Sequence, residues 1–225
     1  MAPASLARRS CRWLGALGAG LLLAAGASRR FGPKDKLLSP LRGRPLIAHA
    51  AEAMRRAALD RRIAVIANPD LAPHLAGFEI VAVAPGGQSD SLRAGLAAAG
   101  RPDLLLIALA DMPFVSARHL DRVVAAASDT MPSASRDRGP PMPPACFPAA
   151  WLPRLAALKG DRGAGPLIGD LPPAAVIEAA GQLADIDTVN DLARIRRATR
   201  PARLSHSSQI PRGSGGGAPG RRGTR

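Results

Sequence analysis

Tyrosine is absent from this chain, and four phenylalanines and two tryptophans are the only aromatic residues among 225. Proteins that hold single-stranded nucleic acid stack its bases on aromatic rings, so the body of this chain does not read as one. Two cysteines, Cys11 and Cys146, are too few and too far apart for a disulfide framework or a thiolate metal site. Their scarcity points to a reducing, cytoplasmic compartment. His49, His74, His119 and His206 are scattered, and no Ser-His-Asp or Cys-His set suggests itself.

Acidic residues are missing from both ends. Residues 1–12 carry Arg8, Arg9 and Arg12, and residues 199–225 carry Arg200, Arg203, Arg212, Arg221, Arg222 and Arg225. These nine arginines account for most of the formal charge of +14, and the balance over residues 13–198 is a modest +5. Residues 1–15 read as an N-terminal extension and 16–198 as one domain. The Gly-, Ser-, Pro- and Arg-rich tail, 199–225, has almost nothing to bury and reads as disordered. The uncharged run from Trp13 to Ser28 after three arginines has a second reading, as an export signal ending at Ala25-Gly26-Ala27. It is short and glycine-rich for a membrane span, and the preferred reading is a first strand beginning near Ala16–Gly20.

What is present is an alternation. Short apolar runs at Ile63–Ala67, Glu79–Val83 and Leu104–Leu109 are separated by stretches of helical periodicity. Leu46, Ile47, Ala50, Met54 and Ala57 lie on one helical face, with Glu52, Arg55 and Arg56 on another. Ser89 or Asp90 is a candidate cap for a helix through Ala99, and Ser116 for one reaching about Ala127. Residues 128–144 read as a loop with at most one edge strand. A strand near Ala145–Phe147, a helix around Trp151–Leu158, a strand at Ala174–Ile177 and a last helix from Val189 follow. This is the signature of an α/β protein with a doubly wound, mostly parallel sheet. In such sheets ligands bind beyond the carboxyl ends of the strands.

The polar motifs fall at that edge. After the first strand comes Leu23-Ala24-Ala25-Gly26-Ala27-Ser28, a turn of small residues followed by Arg29, Arg30, Lys34 and Lys36. It matches neither the P-loop pattern nor the dinucleotide fingerprint. Small residues let backbone N–H groups approach an anion, and the cations that follow can neutralise phosphate oxygens. Asn68 follows the second strand, as a ribose contact or a turn residue. Gly87, Gln88 and Ser91 follow the third. Asp111 follows the most apolar strand, and Asp187 supplies a second carboxylate unless it only caps the last helix, with Asp185 as its substitute. Two carboxylates, phosphate oxygens and water are what Mg²⁺ takes as ligands. Nucleotidyl transfer onto an already ionised phosphate needs no general base, which suits this inventory.

The opening stretch resembles the nucleotidyltransferase signature L-A-A-G-x-S-x-R-x-G-x-x-x-K, through Leu23, Ala24, Ala25, Gly26, Ser28, Arg30, Gly32 and Lys36. Later blocks are similar to the MobA-like NTP transferase branch, which includes the molybdenum-cofactor cytidylyl- and guanylyltransferases. They are Gly87-Gln88-Ser89-Asp90-Ser91, Ala108-Leu109-Ala110-Asp111-Met112-Pro113, Gly160-Asp161-Arg162-Gly163-Ala164 and Asp185-Ile186-Asp187-Thr188. The resemblance covers about residues 17–196 and implies a fold of the nucleotide-diphospho-sugar transferase type. It implies Mg²⁺-dependent transfer from CTP or GTP to a phosphorylated acceptor such as molybdopterin. Lys36 and Arg30 would be the catalytic cations, Asp111 and Asp187 the metal ligands, and a molybdoenzyme or its chaperone a protein partner. A sugar or alditol phosphate is the alternative acceptor. Gly165 stands where the family tends to have arginine.

Overall fold

The most apolar segment forms the middle strand of a seven-stranded sheet in the computed structural model of the protein, which describes residues 17–26, 31, 35–160 and 163–198. In chain order the strands are β1 (Gly18–Ala24), the two-residue β2 (Pro40–Leu41) and β3 (Arg44–Pro45), β4 (Arg61–Ile66), β5 (Glu79–Ala82), β6 (Leu104–Leu109), β7 (Ser133–Arg136), β8 (Met142–Pro148) and β9 (Val176–Glu178). The helices are α1 (Leu46–Arg56), α2 (Gln88–Ala99), α3 (Ala117–Ala126), α4 (Leu152–Ala156), α5 (Gly165–Ile168) and α6 (Val189–Ala198). The sheet runs β5-β4-β1-β6-β8-β7-β9, and β2 pairs with β3 as a separate hairpin. The first four strands in that order are parallel; β8 runs antiparallel to both of its neighbours.

Successive side chains of a strand point to opposite faces, and here each face has its own core. Leu22, Ala64, Ile66, Leu106 and Ala108 pack with Ile47, Met54, Leu120 and Val123. Leu21, Ile63, Val65, Leu105 and Ile107 pack with Leu92, Phe147, Leu155 and Ile168. Helices therefore cover both sides, as the apolar pattern predicts. The outer face of α1 is fastened by Glu52, which pairs with Arg55 at 2.8 Å and Arg56 at 2.6 Å. Its last carbonyls are met by Arg62 of β4, which donates to Met54, Arg55 and Ala57.

Four expectations change. Residues 128–144 hold an internal strand, β7, seated between β8 and β9. Its sequence, Ser-Ala-Ser-Arg, is polar, yet Ser133 and Ser135 are fully buried because their hydroxyls donate to the Val123 and Pro144 carbonyls. The strand at 79–83 is an edge, with Ile80 38% exposed, rather than a buried element. The cap of α2 is Gly87, whose N–H donates to Asp90, so Asp90 works from inside the first turn. The late helix and strand are shorter, at Leu152–Ala156 and Val176–Glu178. Cys146 is a buried, free thiol on β8, its pKa raised by burial, and Cys11 lies outside the described residues.

His119, on α3, is almost wholly buried and donates through Nε2 to Ser135 Oγ at 2.8 Å, since that hydroxyl gives its own proton to the Pro144 carbonyl. Its Nδ1 has no hydrogen-bond partner among the described residues. Burial, and then the charge of Arg122, lower its pKa below that of ordinary histidine. The unfolded chain therefore binds this proton more readily than the folded one. The stabilisation is complete above the unfolded value near pH 6.5 and is lost as pH falls from there towards the folded value. Melting temperatures recorded from pH 7.5 to pH 5 should fall, and His119→Gln should flatten the decline. An unchanged slope in that variant would assign the decline to another group.

Candidate active site

Parallel register brings the carboxyl ends of β1, β4 and β6 level, with Leu23 opposite both Val65 and Leu109. Beyond that edge lies a cavity of about 710 Å³, a volume that suits a nucleotide. One wall is the turn after β1, Ala24 to Gly26. A Cβ at Gly26 would meet nothing within 4 Å among the described residues, so the turn borders open space here. The opposite wall is Gly86, Gly87, Gln88 and Ser91, at the start of α2, where the first helical N–H groups lack intrahelical partners. Lys36, Asp111 and Asp187 complete the lining.

Those last three residues form the polar centre. Lys36 Nζ donates to Asp111 Oδ2 at 2.7 Å and to Asp187 Oδ1 at 2.8 Å. Burial disfavours the ammonium, but the charge and hydrogen bond of Asp111 together with those of Asp187 outweigh it and hold the pKa above that of ordinary lysine. Among the described residues one cation faces a surplus of negative charge, because Asp185 lies in the same field. Its carboxyl is held above the usual range by desolvation first, and then by the charges of Asp187 and Asp111. Asp111 Oδ1 is buried with no hydrogen-bond partner among the described residues. A buried carboxylate oxygen left bare is costly. A divalent cation shared by Asp111 and Asp187 fits both the orphaned oxygen and the excess charge.

Each member of this group is placed by its neighbours. Asp187 arrives across the sequence because Ile186 N donates to Asp111 O at 3.2 Å and the Ile186 side chain is wholly buried. The Asp-Ile-Asp spacing thus anchors on its middle residue. Thr188, not Asp187, caps α6 through reciprocal bonds with Asp191. Lys36 opens a short helical turn capped by Asp35, whose Oδ1 accepts from Leu37 N at 2.9 Å. Asn68 does not line the cavity. Its Oδ1 accepts from Asp70 N, and its Nδ2 donates to Asp35 Oδ2 at 3.0 Å. Asn68 therefore steadies the turn that carries Lys36. Asp35 was not among the candidates, although an aspartate directly before a short turn is a cap signal. Leu23, Ala24, Ala25, Gly26, Gly87, Gln88 and Ser91 come together around the cavity, and Ser28, Arg30, Gly32, Asp161 and Arg162 lie outside the described residues.

The MobA-like NTP transferase domain model matches residues 20–176, from β1 to the start of β9. The chain belongs to the MobA-like NTP transferase family. As a member, it is a nucleotidyltransferase. The purine catabolism protein PucB of Bacillus subtilis (strain 168) is 34% identical over 198 residues, covering 80% of this chain and 96% of that protein. A molybdenum cofactor guanylyltransferase of Cereibacter sphaeroides is 36% identical over 145 residues, covering 61% and 72%. Among solved structures, Rv0371c from Mycobacterium tuberculosis H37Rv superposes with a TM-score of 0.69 at 28% identity, covering 80% of this chain and 98% of that one. Rv0371c has also been solved as a manganese complex, which matches at 27% identity with a TM-score of 0.66 and the same coverage. Among the described residues no helix is long and apolar enough to cross a membrane.

Proposed function

We propose that this MobA-like transferase moves a nucleoside monophosphate from CTP to a molybdopterin-type phosphate and releases pyrophosphate, in the cytoplasm. The observation that carries the reading is the convergence of Asp111 and Asp187 on Lys36 beside a cavity of nucleotide size. Asp111 and Asp187 would hold Mg²⁺, which supplies Lewis-acid charge for the triphosphate oxygens. The peptide groups of Ala24 to Gly26 would cradle the phosphates, and Lys36 would neutralise charge there. Ser28 and Arg30 are assigned to the same triphosphate on their place in the motif. Gly87, Gln88 and Ser91 would face the nucleoside, and Asn68 would act through Asp35 rather than touch the ribose. An ionised acceptor phosphate attacks without a base, in keeping with a described lining that has no histidine. A molybdoenzyme or its chaperone would receive the product.

A guanylyl donor is the second reading, favoured by relatives that are named guanylyltransferases. Calorimetry with each nucleoside triphosphate, followed by pyrophosphate release from Mg-CTP and Mg-GTP with molybdopterin, separates the two. CTP should bind at least tenfold more tightly than GTP and support release only when acceptor is present. Equal affinity for all four triphosphates would remove the cytidine claim. The export reading has its own test in the mass of the mature N-terminus. Cleavage after Ala27 would remove β1 from the interior of the sheet, and a chain starting at Ser28 would end the enzyme reading.

A further inference from the structure

The two carboxylates of the site are carried by segments that lie side by side. Residues 111–116 lead from the end of β6 to the start of α3, and residues 182–187 lead from β9 towards α6. Hydrogen bonds pin the two segments together at both ends. Ile186 N donates to Asp111 O at 3.2 Å. At the other end the Ser116 N–H and hydroxyl both donate to Gln182 Oε1, at 3.1 Å and 2.8 Å. Residue 111 thus meets 186 while 116 meets 182, so the segments run in opposite directions. Between the pins, Met112 and Val115 of one segment and Leu183 and Ile186 of the other are buried in the same apolar core. Both partners of the outer pin are themselves held. Gly181, with a φ of +72°, turns the chain after β9, and its N–H donates to Asp137 Oδ2 at 2.9 Å. Ser116 Oγ caps α3 by accepting from His119 N at 3.3 Å.

Apolar burial is non-directional, so the core residues alone do not set the register between the segments. A slip of one residue carries a side chain about 3.3 Å along an extended chain. Mg²⁺ takes its oxygen ligands at about 2.1 Å in near-ideal octahedral geometry, so a carboxylate pair that shares it does not tolerate such a slip. Directional bonds at two points fix the register. The inner pin joins backbone to backbone and asks nothing of the side chains. The outer pin depends on one side chain, that of Gln182. We infer that Gln182 is a positioning residue for the transfer reaction, holding Asp187 level with Asp111. It lies outside the cavity lining, so it acts through Asp187 rather than on a ligand.

The inference rests on the metal role proposed for Asp187, and the test separates the two. Mn²⁺ alone is titrated into the full chain and read by water-proton relaxation; pyrophosphate release from Mg-CTP and Mg-GTP with molybdopterin gives kcat and KM. Gln182→Leu keeps the bulk of the side chain and loses the acceptor. It should weaken Mn²⁺ binding about tenfold and lower kcat by a similar factor, as the loss of two ordinary hydrogen bonds implies. KM for the triphosphate should stay within about twofold, because the turn after β1 and the start of α2 are untouched. Gln182→Glu keeps an oxygen at that place and should bring Mn²⁺ affinity and kcat back to within about threefold of wild type. Ser116→Asp still caps α3 but cannot donate its hydroxyl, and should shift both quantities in the direction of Gln182→Leu. Mn²⁺ affinity and kcat within twofold of wild type in folded Gln182→Leu would overturn the inference, as would a Gln182→Glu variant no better than Gln182→Leu. A KM that worsens in step with kcat would also overturn it, since that is a general loosening of the fold. A wild type that binds Mn²⁺ no better than Asp187→Asn would overturn the metal role itself, and the positioning role with it. Absent pyrophosphate release by the wild type, with the Mn²⁺ differences intact, would overturn the transfer reading and leave Gln182 as the residue that places Asp187.

Discussion

Asp111→Asn is expected to lower pyrophosphate release about a thousandfold, equivalent to ~4 kcal/mol of transition-state stabilisation, while the protein stays folded. The side chain keeps its shape but loses the charge that two observations tie to a cation: a buried Oδ1 without a partner and an Oδ2 already shared with Lys36. Folding should tolerate the change, because Lys36 retains its 2.8 Å bond to Asp187. Binding of Mn²⁺, followed by paramagnetic relaxation of water, should weaken together with activity, whereas binding of metal-free nucleotide should hold or improve as one negative charge leaves the cavity. Activity above a tenth of wild type would remove Asp111 from the metal site. Loss of the folded signal would mean that its role is structural.

Gly95→Val should be the most damaging single substitution for stability, at about 3 kcal/mol or more. A Cβ at Gly95 would lie 2.5 Å and 2.8 Å from the two methyls of Leu21 and 3.0 Å from Val65 Cγ2. Leu21 and Val65 are fully buried on neighbouring strands, so their side chains have nowhere to swing. The helix must then move off the sheet, and α2 carries Gln88 and Ser91 at its active-site end. A chain of this size should lose about 10 °C in melting temperature, and nucleotide affinity should fall with it. A melting point within 2 °C of wild type would show that the helix sits farther from the sheet than described.

The parts of the molecule that were legible in the sequence are those where one physical demand acts alone. Leu104–Leu109 must be central because both of its faces are apolar, and Asp111, just past its end, must then stand at the ligand edge. Gly26 and Lys36 could be placed at the same edge by their distance from the first strand. What escaped were cases where tertiary context overrides composition. The buried serines of β7 satisfy themselves on backbone carbonyls that no local pattern reveals. The apolar residues of 79–83 look like core but have only β4 beside them. Asn68 is the turn residue that its place before Pro69 suggests, with Oδ1 accepting from Asp70 N, but no local pattern shows its amide reaching Asp35, 33 residues earlier.

The two carboxylates that meet on Lys36 are separated by about a third of the chain, and the later one is held in place by Ile186 against the end of β6. During synthesis the nucleotide wall and the first carboxylate leave the ribosome well before the second. A nascent or C-terminally clipped chain therefore carries the turn after β1 and the start of α2 but only one carboxylate of the acidic pair. On the metal role proposed for Asp187, catalytic competence is reached last, when Ile186 docks against the end of β6.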